Sequence, residues 1–231
     1  MKATYVPALV SLLLSVGLLT AGCAAETSPQ VSPQESPTAS SSRTTSPEKP
    51  RGIPGDFPLA QGWPGPGEDE GGPTDGLRGP ARSLKAMELT ACGAAVTLPV
   101  GVDHLSATWS NPEDYRARML VSFGSVPAAR EYAAAVTDLY RSCPSEDTQD
   151  GYTTVAEVVD LRLGEESSAV ILHQELGGAP AIGLRVVEVV RVGTSVLVET
   201  GSTEGGEAEG GQLVELTSAG LTDVVAALSG L

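Results

Sequence analysis

From Tyr152 to Thr200 the chain offers one apolar run after another, each rich in β-branched residues and each cut from the next by a turn signal. The runs cover residues 152–163, 168–175, 181–192 and 195–200. The breaks between them are Gly164-Glu165-Glu166-Ser167, Gly177-Gly178-Ala179-Pro180 and Gly193-Thr194. Val, Ile and Thr fit a pleated surface, and Gly, Pro and Ser supply the backbone angles of tight turns. Connections this short leave no room for crossover helices, so the strands arrive as hairpins and the sheet they build is antiparallel.

Two more strands precede this block. Residues 104–109 form the first, the cluster Asn111-Pro112-Glu113-Asp114 is a turn, and from Tyr115 onward Ala117, Met119, Val121 and Phe123 alternate with Arg116, Arg118 and Ser122. That alternation predicts a strand with one buried face. A helix follows, capped by Ser125 and opened by Pro127. It carries a stripe of Ala129, Tyr132, Val136, Leu139 or Tyr140, and Cys143, and Pro144 stops it. A Gly/Glu-rich loop over 201–211 leads to a last helix with Leu213, Leu216, Gly220 or Leu221, Val224, Val225 and Leu228 on one stripe. The fold class expected is α+β, with an antiparallel sheet of five to six strands and both helices packed on one face.

The N-terminal region has a different character. A short apolar stretch from about Tyr5, roughly 15 residues against the roughly 20 of a membrane span, follows the single cation Lys2. It ends in Leu18-Leu19-Thr20-Ala21-Gly22-Cys23. These residues resemble a bacterial lipobox, with Thr20 where Leu is usual. The resemblance implies cleavage before Cys23 and diacylglycerol on its sulfur, which would hold the mature chain on the outer face of the cytoplasmic membrane. The expected division is 1–22 signal peptide, 23–52 disordered Ser/Thr/Pro-rich stalk, 53–82 extended Pro/Gly-rich segment and 83–231 folded domain. The stalk lacks apolar periodicity and cannot offset its ordering entropy by burial. In the next segment Phe57, Leu59 and Trp63 are large apolar groups among Pro and Gly, which reads as an extended piece plugging a groove on the domain. Partner binding is the other reading of that segment.

With Cys23 acylated, Cys92 and Cys143 remain, and an even pair in an exported chain predicts a disulfide. A net charge of −15 excludes nucleic acid as a partner, since phosphate binding needs a basic footprint. Nucleophile elbow, zinc-protease, P-loop and dinucleotide motifs are all absent from the sequence. His104 and His173 are its two histidines, too few for a histidine metal cluster. Glu146, Asp147 and Asp150 lack the ligand alternation of a calcium loop and read as a solvated loop. Neither a cofactor nor a metal is expected.

Polar residues interrupting the apolar strands are the candidate ligand-binding groups: Glu157, His173, Arg185, Glu188 and Arg191. Surface positions on a wet face are the plainer reading of all five. Against it, residues 186–190 are apolar on both parities, which suggests that both faces of the sheet are covered. The expected site is therefore a cleft lined above all by His173, Glu157 and Arg185, holding a small molecule or a lipid.

The lipobox and stalk, a strand before a helix ending in Cys143-Pro144, the Gly-Glu-Glu-Ser turn, and Val190-Arg191-Val192-Gly193-Thr194-Ser195-Val196 before a C-terminal helix together resemble actinobacterial sensor-domain lipoproteins. Those are similar to the extracellular domain of PknH-type receptor kinases. The resemblance runs over about Ala86 to Leu231. It implies a sensing or ligand-binding fold without catalysis. Two departures are Thr194, where Asn is frequent, and one possible disulfide in place of two. The function expected is that of an exported, lipid-anchored binding module, with an envelope protein as a possible partner. An envelope lipid or glycolipid carrier, a hydrolase and a structural surface protein are the rivals.

Overall fold

A computed structural model describes residues 52–65 and 76–231. The lipobox, Cys23 and the stalk up to Arg51 lie outside the described residues. The described residues build ten strands and two α-helices: β1 Gly76–Ala81, β2 Leu89–Ala91, β3 Ala94–Val96, β4 Asp103–Ser110, β5 Tyr115–Ser122, α1 Val126–Arg141, β6 Ser145–Asp147, β7 Tyr152–Asp160, β8 Glu166–Leu176, β9 Ala179–Val192, β10 Ser195–Thr203 and α2 Gly210–Leu228. Eight of the strands form one antiparallel sheet in the order β1-β4-β5-β10-β9-β8-β7-β6, and β2 and β3 pair separately as a hairpin. The sheet is wider than the five to six strands expected. The additional strands are short edge pieces, β1 and β6, whose sequences carry little apolar signal. Gly76–Ala81 in particular falls where the sequence reads as linker.

The two helices cover opposite faces of this sheet, which corrects the expectation of a single helical face. From α1, Ala129, Tyr132, Val136 and Tyr140 pack with Met119, Val121, Val170, Leu172, Val187, Val189, Val196 and Val198. From α2, Val214 packs with Ala169, Ile171, Leu184 and Val186, while Leu221, Val224, Val225 and Leu228 meet Leu105, Ala107, Leu120, Val190 and Leu197. Neighbours along each strand thus point to different helices, as the period of two requires. This is why β9 is apolar on both parities. The connectivity accounts for it as well: α1 leaves the middle of the sheet after β5 and crosses one face to the far edge at β6. The meander β6 to β10 then returns, and its last strand enters between β5 and β9.

Local signals explain both helices. The Ser125 hydroxyl accepts a hydrogen bond from the Ala128 N–H at 3.3 Å, and Pro127 sits in the first turn. In α2 the buried stripe is Gly210, Val214, Thr217, Leu221, Val224, Val225 and Leu228. Leu216, placed on the stripe by sequence spacing, is exposed instead, because the helix begins at Gly210 and its buried face follows that phase.

Cys92 and Cys143 form the expected disulfide, with Cα atoms 5.8 Å apart and a sequence separation of 51. It ties the β2–β3 hairpin to the end of α1. Replacing Cys143 with serine is expected to lower stability by up to ~4 kcal/mol, read as an earlier midpoint in guanidinium denaturation. An unchanged midpoint would show that the loop is already constrained without the bridge.

Residues 52–65 form a strap across the α2 face. Ile53, Phe57, Leu59 and Trp63 are all buried, packed with Leu105, Leu120, Leu197 and Leu221. Burial on this scale is worth ~1.5–3 kcal/mol per side chain before ordering costs. The strap is fastened at its start by Asp103, whose carboxylate accepts from the Ile53 N–H at 2.9 Å and pairs with Arg82. Arg82 also donates to the Ile53 carbonyl.

Candidate functional site

The site grows from unequal cover on the α1 face. Helix α1 lies over the β7 to β10 side with the β2–β3 hairpin packed against it, whereas residues 84–90 run beside β4 and β5. Met87 anchors this cover, its N–H reaching the Met119 sulfur at 3.2 Å. Between the two covers lies an open groove of about 720 Å³. Its floor carries Ser106, Thr108, Ala117 and Thr200, and Arg78, Lys85, Glu88, Tyr115 and Arg185 stand around it. These floor residues meet because register aligns them: Ser106 faces Met119, Thr108 faces Ala117, and Ala117 faces Thr200. Small side chains on adjacent strands leave the depression.

The Ser106 hydroxyl is buried in this floor and has no hydrogen-bond partner among the described residues, a costly state for a polar group. Arg185 contributes charge on the far side and lies near Tyr140. Burial pushes the Tyr140 hydroxyl up from its ordinary value, and Arg185 opposes that push. Lys85 pairs with Glu88 at 3.4 Å at the exposed margin.

A second polar cluster sits beneath the strap on the other face. Arg118, Glu199 and Glu188 form one row across β5, β10 and β9, in direct register and at most 1% exposed. Arg118 Nε donates to Glu199 Oε2 at 2.7 Å, and Arg118 Nη1 donates to the strap carbonyls of Leu59 and Gln61 at 3.1 and 2.6 Å. The Trp63 ring stacks over the guanidinium at 4.6 Å, while its indole N–H donates to Glu199 at 3.3 Å. Two glycines allow the approach. Gly62 has φ +82 and backs onto Gly220, and a Cβ on Gly220 would stand 3.2 Å from Arg118 Nη2.

The five residues singled out from sequence do not share a cleft. Arg185 and Arg191 lie on the α1 face, and Glu157, His173 and Glu188 on the α2 face, because strand parity divides them. Arg185 lines the groove. Arg191 is buried and bound to Glu165 at 2.6 Å and Glu166 at 3.0 Å, fastening the turn that precedes β8; both carboxyls are held below their ordinary range by Arg191. Glu157 is exposed on β7. His173 is buried beside Glu175 at 3.8 Å. Glu188 belongs to the buried row. Sequence reasoning missed Arg118 and Glu199, although each carries a signal. Leu120 breaks the alternation next to Arg118, and Glu199 ends the unbroken run Val196-Leu197-Val198. The acids Glu146 and Asp147 are exposed on β6, and Asp150 is exposed in the loop that follows.

No family model and no curated protein matches this chain. Solved structures similar to it include the following two. One is the extracellular domain of PknH from Mycobacterium tuberculosis, at 17% identity and TM-score 0.39, with 55% of this chain and 66% of that one covered. The other is an uncharacterized protein from Mycobacterium smegmatis, at 15% identity and TM-score 0.35, with 55% and 68% covered. The chain thus spans just under two thirds of the PknH domain. That domain is the one the sequence resembles.

Proposed function

We propose that this protein is a lipid-anchored, extracytoplasmic binding module without catalysis, and that the groove on the α1 face holds a small polar ligand bearing negative charge. The buried, unpartnered Ser106 hydroxyl in the groove floor carries this reading, because a ligand acceptor or donor would satisfy it. Electrostatics supports it: three basic side chains and one acid surround the groove in a chain of net charge −15. The groove is open and its floor is rich in hydroxyls, which suits a polar molecule better than an acyl chain and sets the carrier reading second. No helix among the described residues is long and apolar enough to cross a membrane. The reading assigns attachment to Cys23 on the lipobox residues Leu18-Leu19-Thr20-Ala21-Gly22-Cys23.

Native mass spectrometry of the gently purified chain is the test of binding, followed by thermal shift with phosphate and small dicarboxylates as probes. A ligand at a hundredfold excess over Kd would add about 2.7 kcal/mol, a Tm rise of ~5–10 °C for a domain of this size. That rise is expected to shrink in Arg185→Ala and Ser106→Val. A co-purified lipid would favour the carrier. A clean apo mass with no probe-dependent shift would overturn the groove assignment. For the anchor, Cys23→Ala is expected to move the protein from the membrane to the soluble fraction.

A further inference from the structure

We propose that the strap over residues 53–63 is a proton-sensitive latch, closed over the Arg118–Glu199 end of the buried row while the Glu188–Glu199 carboxylate pair holds a proton and released when both carboxylates are charged. Glu199 stands directly opposite Glu188 across the β10–β9 ladder, so two carboxylates share a dry interface with one guanidinium. Arg118 spends its bonds on Glu199 and on the strap. Glu188 receives the Ser218 hydroxyl on Oε1 and nothing on Oε2. Like charges facing each other across a ladder repel, and more strongly without water.

Among the described residues the surroundings supply no further cation in direct contact. Helix α2 presents Ser218 and Thr217, while its acids Glu215 and Asp223 are exposed. On β8 the register neighbour of Glu188 is Ala169. Arg116 on β5 acts on Glu199 only through space and stacks on Trp109 at 5.4 Å. The strap contributes two carbonyls and Trp63, and its own Asp56 is exposed. Burial accordingly pushes the Glu188 carboxyl up to about 7 and moves Glu199 upward as well.

The strap is the part able to yield. No strand ladder among the described residues includes it; turn bonds, four apolar side chains, the Asp103–Arg82 clamp on Ile53, the Gln61 bond to Asp223, and the contacts of Arg118 and Glu199 hold it. Elements held in this way open at lower free energy than laddered strands. Lifting it bares Arg118 and Glu199 and opens a path for water to the neighbouring Glu188, where a carboxyl returns toward its ordinary value of 4.5. Proton linkage sets the direction: between about 4.5 and about 7 the closed form holds the extra proton, so opening becomes easier as pH rises and levels off above about 7.

Hydrogen exchange read by mass spectrometry on the full chain, corrected for intrinsic rates, tests this. The strap's opening constant is expected to rise by about tenfold or more from pH 5 to pH 7, while β9 and β10 stay protected and Glu188→Gln flattens the rise. A strap whose protection ignores pH, a rise shared by the whole sheet, or the same rise in Glu188→Gln would each overturn the latch. If Glu188→Gln does not fold, the carboxyl carbon shift of Glu188 in the native protein decides, and titration in the ordinary carboxylate range overturns the proposal.

Discussion

Replacing Arg118 with alanine is expected to cost about 3–5 kcal/mol, the range for removing one partner of a buried ion pair. The pair itself is not a large net source of stability, since desolvating both charges offsets their attraction. What the substitution exposes is the orphan: Glu199 would be left with the Trp63 indole as its only neutral donor and Glu188 as an adjacent acid. The strap would also lose the two bonds from Nη1 to Leu59 and Gln61. Denaturant titrations at two pH values check the cause. The loss is expected to be smaller at pH 5 than at pH 8, because protonation can neutralise the stranded carboxylate. Equal losses at both pH values would mean that lost packing, not uncompensated charge, accounts for the effect.

Trp63→Ala carries an expected cost of about 3–5 kcal/mol, as for other buried Trp truncations. Three contributions vanish together: the packed ring, its stacking on Arg118 at 4.6 Å and the indole bond to Glu199. Trp63→Phe separates them, restoring most of the packing but not the bond. Because Trp63 and Arg118 touch, the double variant is expected to fall short of the summed losses by about 0.5–3 kcal/mol. Strict additivity in a thermodynamic cycle would show that strap and ion pair are energetically independent.

Long elements were legible from residue pattern. The meander from Tyr152 onward, α1 with its Ser125 cap, the disulfide and the docking of Phe57, Leu59 and Trp63 all follow from periodicity, turn chemistry or burial. The number of strands did not follow, because β1 and β6 are edge pieces stabilised by pairing with β4 and β7 rather than by an apolar face of their own. Helix placement failed for a related reason. Hairpin order specifies neighbours in the sheet, not the face a crossover takes, and the two-sided apolar character of β9 was the clue. Arg118 illustrates the same limit at the site. On an alternating strand an arginine reads as solvent-facing, and only the strap, distant in sequence, turns that face into interior.

The position of β10 has a consequence for biosynthesis. This strand leaves the ribosome after the seven others of the sheet, yet it lies between β5 and β9 at its centre. Until it emerges, the nascent chain holds two separate blocks, one built on β1, β4 and β5 and the other on β6 to β9, with no ladder between them. Each block presents an unpaired central edge to its surroundings, a form prone to wrong partners. Completion of the sheet therefore waits for Ser195–Thr203, and a message cut short before Ser195 would yield two half-sheets rather than a smaller protein.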